Sequence, residues 1–159
     1  MNSSFTDTLI KIVIVPVIIV LAIVLSPLLL LIWVITFIRK HILMFRFKFK
    51  WAKKGKNILF IHSNSPNWQQ YLEENIIPKI DKKAVLLNWS ERSKWEKKKP
   101  LEAKLLSHFG GYYEFNPMAI VFLPFGKVKI IRFFKAFKDY KHGNVASLQS
   151  KETELYELL

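Results

Sequence analysis

Hydrophobic and polar positions split this chain into two regimes. Residues 12–38, IVIVPVIIVLAIVLSPLLLLIWVITFI, contain no charged side chain, and as a helix rising about 1.5 Å per residue they would reach about 40 Å. Against a hydrocarbon layer of roughly 30 Å this allows one tilted or kinked crossing and not two. Pro16 falls in the first turns, where proline is tolerated; Ser26-Pro27 falls near the middle, where proline removes a hydrogen bond and predicts a kink. A cleaved secretory signal is not expected. Asp7 and Lys11 replace a basic start, the run exceeds the roughly 7–15 apolar residues of a signal, and Ile-Arg-Lys follows where a cleavage site should stand.

Beyond residue 56 the runs are short and change period. Residues 57–63, NILFIHS, read as a buried strand. Ser65-Pro66 then supplies an N-cap and an N1 proline, and Trp68, Tyr71, Leu72, Ile76 and Ile80 fall at helical spacing, with Pro78 bending or ending that helix. Residues 84–90, AVLLNWS, read as a second strand, residues 101–109 as a helix closed by Gly110-Gly111, and residues 118–123 as a third strand. A turn at 124–126 leads to a hairpin partner at 128–133, and a last helix at 134–140 precedes His142-Gly143.

The order β-α-β-α-β-β-α predicts an α/β fold with a parallel first pair and a closing antiparallel hairpin. In the tail, Leu148, Leu155, Leu158 and Leu159 fall at partly helical spacing, suiting a loose amphipathic helix that docks on the domain or on another protein. The expected organisation is a transmembrane or re-entrant segment at 1–38, a basic aromatic juxtamembrane linker at 39–56, the α/β domain at 57–143 and the tail at 144–159.

Charge sharpens this division. The formal net charge is +13, and the linker concentrates it: Arg39, Lys40, Arg46, Lys48, Lys50, Lys53, Lys54 and Lys56 stand there without an acid. By the positive-inside rule this flank stays in the cytoplasm, whether the segment crosses or turns back. With Trp51, these cations are the expected membrane-surface residues, facing anionic lipids. Phe45, Phe47, Phe49 and Trp51 alternate with Arg46, Lys48 and Lys50. That period of two is read as an interfacial stripe, with a first strand using its aromatics as core as the alternative. A basic cluster abutting a membrane segment needs no nucleic acid to explain it.

The chain has no cysteine, which excludes dithiol redox chemistry and cysteine nucleophiles. His41, His62, His108 and His142 share no metal-like spacing, so no metal is expected. No nucleophile elbow or glycine-rich phosphate loop is present, so no catalytic residue and no cofactor is assigned. What remains is the end of the first strand. His62, Ser63, Asn64, Ser65 and Asn67 gather polar groups there, and Asn88 and Ser90 join them if the first two strands are parallel. Such a strand-to-helix edge suits a phosphate or carboxylate; the same residues are also the commonest turn and capping residues. Trp89 and Trp95 around a polar turn, and the aromatic bend at 109–115, suit either core or a partner surface.

Over residues 55–143 the chain resembles the thioredoxin fold. The resemblance rests on the element order, on the proline opening the first helix in Ser63-Asn64-Ser65-Pro66-Asn67, on Pro78, and on Asn116-Pro117 directly before the third strand. It implies a cis-proline at Pro117 facing the loop. Where the family carries Cys-Gly-Pro-Cys, this chain reads Asn64-Ser65-Pro66-Asn67, so the implied redox activity fails. Separately, LAIVLSPLLLLIWVI resembles the membrane segment of small phosphoglycosyl transferases, whose Ser-Pro break keeps both ends in the cytoplasm; their catalytic Asp-Glu pair has no counterpart here. The reading is a membrane-anchored, cytoplasmic, thioredoxin-like domain without redox activity, a binding or scaffold module with a protein partner. The alternative is an enzyme or enzyme subunit holding a phosphorylated or lipid-linked substrate at the 62–67 loop.

Overall fold

The structure, a computed structural model, describes residues 10–111 and 116–159. Tyr112, Tyr113 and Phe115 of the aromatic bend lie outside them. The chain forms two compact units, residues 1–41 and 42–159.

In the first unit a π-helical turn, Ile10–Ile14, opens helix α1, Val15–Lys50. This helix is long and apolar enough to cross a membrane. It continues through Ser26 and Pro27, with no turning back at that pair. Proline at 27 has no N–H to give to the carbonyl of Ile23, four residues earlier, and the Ser26 hydroxyl donates to that same oxygen at 3.1 Å. Where water is excluded, such a replacement donor makes an interior proline tolerable.

The last turns of α1 belong to the second unit, and here the structure departs from the sequence reading. Residues 42–50 are neither an extended stripe nor a linker. Leu43, Met44 and Phe47 are buried, while Phe45 and Phe49 are exposed and pack on each other. Two residues of helix turn the chain through about 200°, so the aromatics that would share one side of a strand fall on opposite sides of this helix. The helical stripe Leu43, Met44, Phe47 was hidden by the more conspicuous alternation of aromatics and cations.

A four-stranded sheet follows, built from β1 Ile58–His62, β2 Ala84–Asn88, β3 Met118–Phe122 and β4 Val128–Arg132 in the order β2-β1-β3-β4. β1 pairs parallel with β2 and antiparallel with β3, and β3 pairs antiparallel with β4. The central strands β1 and β3 are apolar at every position except His62, as strands covered on both faces must be.

Alternation sends the two sets of side chains to different layers. Ile58, Phe60, Ala119, Val121 and Ile131 meet helix α2, three abutting stretches Gln69–Tyr71, Leu72–Ile76 and Ile77–Ile80, together with α5, Phe134–Lys141, and α6, Val145–Tyr156. Leu59, Ile61, Val85, Leu87, Met118, Ile120 and Phe122 meet α4, Leu101–Phe109, and the end of α1. Helix α3, Arg92–Lys98, adds Trp95, whose ring meets Trp89 at 5.8 Å, so this pair lies against the core.

Local devices explain the irregular joints. The π-helical stretch Leu72–Ile76 widens α2 just before Pro78, whose missing N–H breaks the ordinary ladder. The β3–β4 hairpin turns at Pro124–Gly126 with Phe125 and Gly126 both at positive φ (56° and 74°), leaving the Phe125 ring 98 % exposed. The tail is a full core element: Leu148 and Leu155 of α6 are completely buried, and the inward carboxylate of Glu152 accepts a 2.6 Å bond from the Tyr71 hydroxyl.

Candidate functional site

Parallel pairing in register, His62 opposite Asn88, brings the C-terminal ends of β1 and β2 to one edge of the sheet. Of the seven polar residues singled out in sequence, the structure joins Asn64, Asn88 and Ser90 there with His62 opposite Asn88, while Ser63, Ser65 and Asn67 bond within the loop, to Trp68 and to Lys141. The antiparallel register of β3, Ile61 opposite Met118, sets Pro117 beside the same edge. The Asn116–Pro117 peptide bond is cis.

At this edge the hydrogen bonds close inward. Asn64 N–H donates to Ser90 Oγ at 3.0 Å, Asn88 Nδ2 to Asn64 Oδ1 at 2.8 Å, and Ser90 N–H to Asn88 Oδ1 at 2.9 Å. Asn67 N–H donates to Ser65 Oγ at 3.4 Å inside the turn before α2; the helix itself opens at Gln69 with Trp68 as its N-cap and no side-chain cap bond, so Ser65-Pro66 does not cap it as the sequence suggests. The Trp68 indole donates to the buried Ser63 hydroxyl at 3.2 Å, and Lys141 of α5 donates to Asn67 Oδ1. Three backbone N–H groups that an anion would need are therefore already engaged. A small cavity of about 170 Å³ opens beside them, lined by Asn67, Trp68, Phe134, Phe137, Lys138 and Lys141.

His62 is the titratable member of this edge. Burial lowers its pKa from the usual 6.5, against the opposing charges of Glu73 and Glu91. The unfolded chain therefore binds the proton more readily than the folded one, so folding stability falls as pH drops through 6.5 toward the lower folded value and levels off beneath it. Thermal melts between pH 7.5 and 5 should show this decline, and His62→Gln should flatten it. An unchanged slope in that variant would assign the decline to other groups.

The cations of the former linker separate by task. Arg46, Lys48, Lys53 and Lys54 are exposed, as is Arg39 in the first unit, where Lys40 is half-buried. Lys56 donates instead to the backbone carbonyls of Asp81 and Ala84, at 2.9 and 2.7 Å, tying the end of α2 to the start of β2. Lys50 and the Trp51 indole both bind the Glu102 carboxylate, at 2.8 and 2.6 Å. Burial is the largest influence on Glu102 and pulls its pKa up, but the Lys50 bond, its own backbone N–H, the Trp51 bond and the Lys50 charge together hold it below the usual value.

No protein-family model, curated protein or solved structure matches this chain. Its chemistry therefore rests on its own geometry. Among the described residues no three His, Asp or Glu side chains converge as metal ligands would. Sequence reasoning passed over Glu102, Lys141 and the Tyr71–Glu152 pair. Glu102 offered one signal, an acid beside the apolar stripe of α4; the others depend on residues 74 and 81 positions apart.

Proposed function

We propose that this protein is a membrane-anchored, thioredoxin-like module without redox activity, its folded unit in the cytoplasm, serving as a binding or scaffold platform at the membrane. The strand order β2-β1-β3-β4, helices on both faces and Pro117 beside the loop after β1 support the fold reading. The apolar helix and the eight cations of residues 39–56, a stretch that holds no acid, support the membrane and its cytoplasmic side. The observation that carries binding over catalysis is the closed loop: Asn64, Asn67 and Ser90 spend their N–H groups on neighbouring side chains.

The absence of cysteine gives a clean test of topology. Ser150→Cys, on an exposed position of α6, should react with a membrane-impermeant maleimide after cell lysis and not in intact cells. Labelling in intact cells would put the domain outside and overturn the cytoplasmic reading.

The second reading, a subunit that binds a phosphorylated compound, draws on the cavity beside Asn67 and its two lysines. It requires such a compound to raise the melting temperature of the full chain, and that shift to vanish in Lys138→Gln. A ligand at one hundred times its Kd adds about 2.7 kcal/mol, enough to see.

A further inference from the structure

A second cleft, unconnected with the loop, lies between the last turns of α1 and the junction of α3 with α4. It is an open groove of about 700 Å³. Its walls differ in chemistry. One carries the paired, exposed rings of Phe45 and Phe49, whose centroids lie 4.4 Å apart. The other carries Lys98, Lys99 and Lys104, with Arg46 and Lys50 at the rim. Glu102 matches Lys50, whereas Arg46, Lys98, Lys99 and Lys104 make no ion pair among the described residues. Four uncompensated cations thus converge on one opening from chain segments about 50 residues apart.

Lys99 adds an independent observation. It closes α3 in the left-handed region, φ 41°, donating its N–H to the Trp95 carbonyl at 2.8 Å. That position is usually glycine, because a side chain there is strained. A lysine held at this cost keeps a charge at the mouth of the cleft. Pro100 and Leu101, also in the wall, set the positive end of the α4 dipole there as well.

Resting on the membrane reading above, we propose that this cleft binds the phosphate headgroup of an anionic glycerophospholipid, with its acyl chains along Phe45 and Phe49. A cationic wall facing an apolar one matches a molecule with a charged head and a hydrocarbon tail. In sequence Arg46 follows Ile38, the last residue of the uncharged run, by eight residues. A water-soluble phosphate would leave the aromatic wall unused.

The test uses the full chain released from mixed micelles containing equal phosphatidylcholine and phosphatidylglycerol, with retained lipids counted by native mass spectrometry. Phosphatidylglycerol should be retained at least fivefold over phosphatidylcholine, and Lys98→Gln/Lys99→Gln/Lys104→Gln should abolish the preference. Lys82→Gln/Lys83→Gln/Lys135→Gln, with equal charge loss outside the cleft, should keep it. Equal loss in both variants, no preference in the parent chain, or displacement of the lipid by millimolar inorganic phosphate would each overturn the proposal. So would displacement by an acidic peptide, which would make the cleft a protein-binding site. Carbonate extraction of the same chains separates the two readings: release from the membrane defeats the anchor, while retention without lipid preference defeats the cleft alone.

Discussion

Phe47→Ala is expected to cost the folded unit about 3–5 kcal/mol, the range for truncating a buried phenylalanine. Phe47 is 1 % exposed and stacks on Phe122 of β3 with ring centroids 4.0 Å apart. Since domains of this size hold about 5–15 kcal/mol in all, the loss should lower the melting temperature by about 10–20 °C. Phe49→Ala, two residues on but with its ring exposed, should change stability by less than about 0.5 kcal/mol. Melts of the detergent-solubilised chain decide it, because the extended-stripe reading requires the two substitutions to behave alike. A truncation follows the same logic. A fragment beginning at Ile42 keeps Leu43, Met44 and Phe47 and should fold; one beginning at Ala52 uncovers Leu59, Ile61 and Phe122 and should aggregate.

Ending the chain after Asn144 should have a larger effect and leave residues 42–144 without a cooperative melt. Helix α6 contributes Leu148 and Leu155 to the layer over Ile131, Phe133 and Phe137. It also supplies Glu152, the acceptor for Tyr71. Each buried leucine stabilises by about 2–5 kcal/mol, and the Tyr71 hydroxyl would lose its partner as well. The same hydrogen bond, after burial, helps raise the Tyr71 pKa, while burial pushes Tyr156 up to about 12. Leu155→Ala alone should show a graded fraction of the loss, and a cooperative melt for the truncated chain would sink the assignment of α6 to the core.

The sheet was legible because its strands are short apolar runs between strong punctuation. Gly110-Gly111 and the turn at 124–126 stand at element boundaries, and Pro66 stands in the short loop between β1 and α2. The loop residues were legible for the same reason, since a parallel pair must bring Asn88 beside Asn64. Two features were not. The end of α1 carries competing periods, and only burial against Phe122 separates Phe47 from Phe45 and Phe49. The charged cleft joins Arg46, which in sequence belongs to the membrane-surface stripe, to Lys98, Lys99 and Lys104 about 50 residues later. Charge runs carry no record of which others they will face.

The place of α6 in the core also fixes a timetable for making the protein. The apolar run ends at Ile38, and Leu155 lies about 117 residues later. At about 5–20 residues per second, synthesis of that interval takes roughly 6–23 seconds. Throughout it the apolar helix is available to a bilayer while β1 and β3, both destined for burial on two faces, have no finished layer to cover them. Under the proposed anchoring, insertion of that helix would come before the sheet could be completed, because Leu148 and Leu155 of α6 are made last.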